Sequence, residues 1–259
     1  MLLEVKDLNI SLTSEKSVAE HISFRLGQGE MLSIVGSSGA GKTTICKAIM
    51  GLLGNAYRTD GEILFQAENL LNLPERKRQA IYGKEICLIM QNPMTAFNPS
   101  IRVGRQLEKT YLLHHGKTPK QEMQRLFTGI LQRLGLEDTQ RILNSYPFTL
   151  SGGMLQRLMI AAALMCQPAL LVADEATTAI DACNRIGLMR ELKSFCKDGM
   201  SVLFVTHDLR SASVSDRILV MDRGQIVEQG KTEQILNTPK EDYTKYLLNA
   251  CRLERREMS

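Results

Sequence analysis

The sequence predicts an α/β fold: a parallel-sheet core, an antiparallel β section at its N-terminal end and an inserted α-helical section. Three observations lead there. Compact apolar runs at Met31–Val35, Ile86–Met90, Leu170–Ala173, Val202–Thr206 and Ile218–Met221 have the length and bulk of strands buried on both faces. Residues 1–65 break into short alternating segments, the mark of half-buried strands. Residues 92–165 lose strand-like alternation and take up helical spacing.

Taken in order, Leu2–Leu12, His21–Leu26 and Gly61–Phe65 read as strands, with turns at Gly27-Gln28-Gly29 and Asp60-Gly61. Thr43–Gly51 reads as a helix directly behind a glycine-rich run. Within the insertion, Gln106–His115, Lys120–Gly135 and Gly152–Cys166 have helical spacing; Gly104 and Gly116 separate the first pieces, and Pro119 suits a helix start. Asp222-Arg223-Gly224 reads as a turn that sends Ile226–Glu228 back as a hairpin. From Pro239 the chain is helical and ends in mixed charge, Arg252–Glu257, read as a solvated helix end. The organisation expected is a single domain over 1–248. Residues 1–91 and 166–235 form the core with its β section, 92–165 the helical insertion, and 236–259 a short helical tail.

Composition narrows the class. With 259 residues, 44% hydrophobic and 23% charged, the chain is an ordinary globular protein able to bury a substantial core. The net charge of +4 is spread along the sequence, which argues against a dedicated nucleic-acid surface. Six cysteines, at 46, 87, 166, 183, 196 and 251, form no Cys-x-x-Cys pair. Neither a zinc site nor a disulfide framework is indicated, and reduced, mostly buried thiols in a cytosolic protein are expected. Glu4, Lys6 and Asp7 interrupt the start, so no signal peptide is read. The longest apolar run, Leu158–Cys166, falls far short of the ~20 residues of a spanning helix. If the protein serves a membrane channel, other chains supply it.

The chemistry-bearing motifs begin at Gly36-Ser37-Ser38-Gly39-Ala40-Gly41-Lys42-Thr43, with Thr44 behind them. Glycines let backbone N–H groups wrap phosphates, and the following helix presents its positive end. Lys42 would neutralise β- and γ-phosphates, and the Thr43 hydroxyl would ligate Mg²⁺. Alone, this loop allows kinases, GTPases, helicases and transporters. The strand Leu170–Asp174 ends in a carboxylate suited to Mg²⁺, usually through water. Glu175 follows it and points the other way, because side chains alternate along an extended chain. Gln91 follows the strand Ile86–Met90, and His207 ends the strand Val202–Thr206. A lone Gln there carries no meaning, and a lone His at a strand end is more often structural. Between these lies Leu150-Ser151-Gly152-Gly153-Met154-Leu155-Gln156. It opens a helix with an anion site that has no phosphate loop of its own nearby.

The order of phosphate loop, Leu-Ser-Gly-Gly-x-x-Gln and carboxylate-ended strand resembles the ATP-binding subunits of ABC (ATP-binding cassette) transporters, across about residues 1–248. The resemblance implies a P-loop NTPase of RecA-like core, with ATP and Mg²⁺ as cofactors. It implies nucleotide contacts from Gly36 through Thr44 and a water-polarising Glu175 assisted by Lys42. Gln91 would sense Mg²⁺ and the water and link to a membrane partner; His207 would contact the γ-phosphate; Thr43 and Asp174 would hold Mg²⁺. Two cassettes would pair head to tail, so that Ser151, Gly152 and Gly153 cap the opposite subunit's ATP. Asp181, in Ala179-Ile180-Asp181-Ala182, would communicate across that interface. Implied partners are a second ABC ATPase, two transmembrane permease subunits and an extracytoplasmic substrate-binding protein, with no nucleic acid. The implied location is peripheral, on the cytoplasmic face of the cell membrane.

Two departures stand out. Ala176 replaces the proline that many relatives carry after the glutamate. Residues 1–23 hold no Phe, Tyr or Trp, so the usual adenine-stacking aromatic is missing and Leu12 or a neighbour is expected to meet the base. Three further runs are similar to the oligopeptide, dipeptide and nickel importer group: Ile89–Pro99, Tyr146–Arg157 and Tyr243–Leu248. In Tyr146–Arg157, Met-Leu after the glycines looks closest to the nickel and metallophore branch. Peptide members commonly continue into a cysteine-bearing iron–sulfur extension, whereas this tail has Cys251 alone. Import of nickel, cobalt or a metal–metallophore complex is therefore expected, with di- or oligopeptide import as the alternative. A soluble, non-transport ABC ATPase generally has two cassettes or a long coiled coil, and no heptad run occurs here. A P-loop phosphotransferase has no use for Leu-Ser-Gly-Gly.

Overall fold

A computed structural model describes residues 1–14, 16–176 and 182–257. The chain opens with β1 (Leu3–Leu12), β2 (Ser17–Leu26), β3 (Met31–Gly36), α1 (Lys42–Ile49), β4 (Tyr57–Phe65) and β5 (Glu68–Asn69). Next come α2 (Glu75–Ile81), β6 (Ile86–Ile89), α3 (Val103–His115), α4 (Lys120–Arg133), α5 (Thr139–Asn144) and α6 (Gly152–Met165). The remainder is β7 (Leu170–Asp174), α7 (Ala182–Cys196), β8 (Ser201–Thr206), α8 (Leu209–Ala212), β9 (Arg217–Asp222), β10 (Gln225–Lys231), α9 (Thr232–Asn237) and α10 (Asp242–Glu257).

Two sheets result. The N-terminal sheet, in the order β2-β1-β4-β5, is antiparallel. The central sheet runs β10-β9-β3-β8-β7-β6 and is parallel except for the β9–β10 hairpin at its edge. Every residue of β3 and β8 is buried, and the period of two sorts their side chains into different layers. Met31, Ile89, Leu171, Ala173, Val202 and Phe204 join the cluster that includes α3, α4 and α6. Their neighbours Leu32, Ile34, Leu170, Val172, Leu203 and Val205 join the cluster shared with α1 and the antiparallel sheet. Burying each such side chain is worth about 1.5–3 kcal/mol. Two-sided burial is why these strands read as unbroken apolar runs.

Several elements differ from expectation for identifiable reasons. Asp60-Gly61 is no turn, because β4 runs straight through it. The β1–β4 register slips between Lys6 and Asn9, where Asp7 has φ 45° and Gly61 φ 102°. A methyl group on Gly61 would collide with the Asp7 carbonyl, so the glycine serves a β-bulge. Gly104 separates nothing; it lies in the first turn of α3. A Cβ there would stand 2.7 Å from the Leu143 carbonyl oxygen of α5, so glycine lets the two helices approach. α5 itself, six residues behind the Asp138 cap, is too short to show a helical period. The hairpin at Asp222-Arg223-Gly224 forms as read, with φ 45° and 83° at its two central residues matching the tight turn that a twisted ribbon needs.

The tail is docked upstream of the Arg252–Glu257 stretch. Glu228 of β10 accepts the Lys240 and Glu241 N–H groups at 2.9 and 3.2 Å, just before α10 begins. Tyr243, Leu247 and Leu248 then pack against Val35, Leu209, Val220 and Ile235.

Candidate functional site

The carboxyl ends of four parallel strands bring the site together, as expected for open α/β sheets. Ile89 of β6 pairs with Ala173, Asp174 of β7 with Val205, and Thr206 of β8 with Val35. This register sets Gln91, Glu175, His207 and the loop after Gly36 along one rim.

The loop from Gly36 to Gly41 turns sharply into α1. Gly39 and Gly41 take φ 83° and 94°, a conformation that turns successive N–H groups inward. At Gly39 a Cβ would meet open space, whereas at Gly41 it would stand 2.8 Å from the Val18 carbonyl oxygen. Strand β2 therefore braces one side of the loop. Lys42 opens α1 with its side chain buried and donates from Nζ to the carbonyls of Gly36 and Ser37 at 2.9 and 2.7 Å. Burial pulls its pKa below the ordinary lysine value, and the nearby carboxylates of Glu175 and Asp174 oppose that shift. A buried ammonium beside turned-in N–H groups makes a concentrated positive pocket, which fits a polyphosphate. Thr43 stands beside it, Ser37, Ser38 and Ala40 complete the loop, and Thr44 continues the helix.

Asp174 ends β7, where Thr43 Oγ1 donates to its Oδ1 at 3.1 Å. Burial pushes the carboxyl upward and the threonine hydrogen bond holds it down, leaving it above the usual aspartate range. A hydroxyl and a carboxylate are hard oxygen donors, suited to a small divalent cation that keeps waters and takes phosphate oxygens. No group of three His, Cys, Asp or Glu suited to a metal occurs among the described residues.

Glu175 sits one residue on, with φ 49°. A non-glycine residue in this region costs on the order of 1 kcal/mol and is held there by its surroundings. Its backbone N–H donates to the Val205 carbonyl at 2.9 Å. Gln91 Nε2 donates to Glu175 Oε2 at 2.8 Å, and His207 Nδ1 lies 3.2 Å from Oε1. Two residues far apart in sequence, Gln91 and His207, thus converge on the Glu175 carboxylate. Behind His207, Asp208 is half-buried, which raises its pKa. Donors from Ser211 Oγ, the Arg210 N–H and Arg185 outweigh that and hold it below the ordinary range. This clamp fixes the start of α8 against α7.

Ser151 caps α6, its Oγ accepting the Met154 N–H at 3.3 Å. It is exposed, as an anion site open to another molecule needs to be, while Gln156 of the same motif is fully buried. Asp181 lies outside the described residues. Two neighbours of the site escaped sequence reasoning. Tyr57 stands across the β1–β4 ladder from Leu12, with its ring packed on the core cluster. The Tyr243 hydroxyl accepts the Ser37 N–H at 3.0 Å across 206 residues of sequence.

Residues 19–178 match a family model described as ABC transporter. The metal-staphylopine import system ATP-binding protein CntD of Staphylococcus aureus is 40% identical over 251 residues, 96% of this chain and 92% of that one. The dipeptide transport ATP-binding protein DppD of Haemophilus influenzae is also 40% identical, over 96% of this chain and 77% of its own. Among solved structures, the dimeric post-hydrolysis state of the ATP-binding cassette MJ0796, bound to ADP and Pi, superposes with a TM-score of 0.78. It is 26% identical and covers 89% of this chain and 99% of its own. With a family model matched over residues 19–178 and relatives alike along nearly its full length, the chain belongs to the ABC transporter family as an ATP-hydrolysing cassette.

Proposed function

We propose that this cassette energises an importer for nickel, cobalt or a metal–metallophore complex, working as one half of a head-to-tail pair of ATPases. The observation that supports the catalytic assignment is the Glu175 carboxylate held between Gln91 and His207 at 2.8 and 3.2 Å. A carboxylate fixed at both oxygens is oriented to receive a proton.

In this reading Lys42 and the N–H groups of Gly39 and of Gly41 through Thr44 bind the β- and γ-phosphates, with charge-assisted bonds roughly twice as strong as neutral ones. Thr43, Asp174 and Gln91 would hold Mg²⁺, whose charge would offset that of the phosphates. Glu175 takes the proton of the attacking water as its oxygen bonds to the γ-phosphorus. The bond to the bridging oxygen breaks, and ADP and phosphate leave. Gln91 and His207 hold the glutamate in line, and His207 also donates to the γ-phosphate. Ser151, Gly152 and Gly153 close over the nucleotide of the opposite subunit, and Asp181 carries the closure across the interface. Binding closes the pair and hydrolysis opens it, so the work done is the difference in nucleotide affinity between two states.

No helix among the described residues is long and apolar enough to cross a membrane. We assign the channel to two permease subunits, fed by an extracytoplasmic binding protein, with the cassette peripheral on the cytoplasmic face and paired with a similar second ATPase. Exposed Met90 and Met94 lie beside Gln91 in sequence and exposed Ile101 follows on the same loop, and Arg102 reaches over the Tyr146 ring, which stacks on exposed Phe148. An apolar rim at the Gln91 loop suits a permease helix that must feel closure.

For cargo, relatives named for metal-staphylopine and for dipeptide transport are equally identical to this chain. The Met-Leu after the glycines at 154–155 favours the metal branch. Uptake in the parent cell carrying Glu175→Gln tests it, with labelled nickel and cobalt, free and chelated, against labelled peptides. Metal uptake is expected to fall with peptide uptake intact; the reverse pattern moves the protein to peptide import. Base selectivity gives a second expectation. Leu12 offers the adenine an aliphatic surface, and the half-buried ring of Tyr57 packs against the core. GTP is therefore expected to compete with ATP for the purified cassette within about tenfold, since one stacking contact is worth ~1 kcal/mol. Strong exclusion of GTP would sink the idea.

A further inference from the structure

We infer that Tyr243, on the tail helix, is a positioning residue for Lys42. This rests on the reading of Lys42 as the phosphate ligand. The peptide unit between Gly36 and Ser37 is held from both ends. Its carbonyl, on Gly36, accepts Lys42 Nζ at 2.9 Å, and its N–H, on Ser37, donates to Tyr243 Oη at 3.0 Å. The Ser37 carbonyl takes Lys42 Nζ as well, at 2.7 Å, and the Ala40 N–H at 3.2 Å. Phenol, peptide and ammonium thus form one chain of hydrogen bonds, in which each link polarises the next.

The phenol arrives on a rigid mount. Glu228 holds the two N–H groups ahead of α10. Thr244, beside Tyr243, is fully buried. The Tyr243 ring packs in the cluster with Val35, the residue before the loop begins. The hydroxyl is therefore presented with little ordering left to do. The Ser37 N–H, so engaged, is turned toward the tail, and the Ala40 N–H is taken by the Ser37 carbonyl, which leaves the N–H groups of Gly39 and of Gly41 onward for phosphate. Through this contact the tail sets the loop peptide against which the Lys42 ammonium rests, so loosening it lets the lysine and its carbonyl partners take other arrangements.

The test compares the full chain with Tyr243→Phe, Leu247→Ala and Lys42→Met. Each is read by displacement of a fluorescent ATP analogue with Mg·ATP and with AMP, and by Tm. Tyr243→Phe keeps the ring and deletes the hydroxyl. It is expected to raise the Kd for ATP about three- to tenfold, the value of one hydrogen bond, with the Kd for AMP and the Tm unchanged. Leu247→Ala trims the same packing and is expected to lower Tm with the ATP Kd unchanged. Wild-type ATP affinity in Tyr243→Phe overturns the inference. So does an equal loss for ATP and AMP, or a loss of ATP affinity in Leu247→Ala as large as that in Tyr243→Phe, because the tail then acts through docking alone. Wild-type ATP affinity in Lys42→Met instead overturns the underlying reading of Lys42.

Discussion

Glu175→Gln is expected to cut ATP turnover by ~10²–10⁴-fold, the usual worth of a positioned general base, while ATP binds with its affinity little changed. The amide has the shape of the carboxylate. Its carbonyl oxygen can still accept Gln91 Nε2, which now reaches Glu175 Oε2 at 2.8 Å. The left-handed backbone at φ 49° costs the same for either residue, so the rim survives. The amide has no basic oxygen able to take a proton from water. Binding without hydrolysis should also leave the closed pair stranded. With its partner ATPase present, the variant should elute as an ATP-dependent dimer that the wild type shows only transiently. Phosphate release and size exclusion on one preparation read both effects. Turnover near the wild-type rate would remove Glu175 as the base and leave Gln91 and His207 gathered around a carboxylate of purely structural use.

What the sequence discloses of this site depends on how far apart its parts lie. The loop from Gly36 to Thr43 is contiguous, so its glycine spacing and its lysine can be read directly. Gln91, Asp174, Glu175 and His207 each follow an apolar run that reads as a buried strand, which places them at strand ends. That they meet depends on the order β3-β8-β7-β6, and no local pattern encodes which strand lies beside which; the family resemblance supplied that step. Tyr243 lies in a run that resembles the importer group's tail, but neither that resemblance nor a local pattern ties it to the loop. Its contact with Ser37 crosses 206 residues, and a tyrosine on an amphipathic tail looks like any packing residue. The two glycines that depart from expectation share a cause. Gly61 and Gly104 look like punctuation, because a turn, a bulge and a close helix approach all demand the same missing side chain, and only the third dimension separates them. Asp181 rests on the resemblance, since it falls outside the described residues.

Lys42→Met is expected to weaken ATP binding by at least about 10²-fold without lowering Tm. The two halves of that result come from one observation. Lys42 Nζ is buried against two loop carbonyls, and burial depresses its pKa despite the neighbouring carboxylates. The folded chain therefore bears a cost for keeping this ammonium charged, and replacing it with an apolar side chain of similar length relieves that cost. Two charge-assisted contacts to carbonyls are lost in exchange, at about 1.5–3 kcal/mol each, against the several kcal/mol that burying an ammonium costs, so the terms nearly cancel and Tm holds. Binding has no such compensation. Hydrogen bonds to charged groups are worth about 1.5–3 kcal/mol each, and losing two of them on the β- and γ-phosphates gives the 10²-fold or greater rise in Kd at 1.4 kcal/mol per decade. Discrimination against AMP should fall in the same proportion, because AMP lacks the phosphates that Lys42 serves. A matched fall in Tm and ATP affinity would make Lys42 a packing residue of the loop. Loss of affinity with Tm preserved identifies a residue kept at the expense of stability, as expected of a charge buried to meet a ligand.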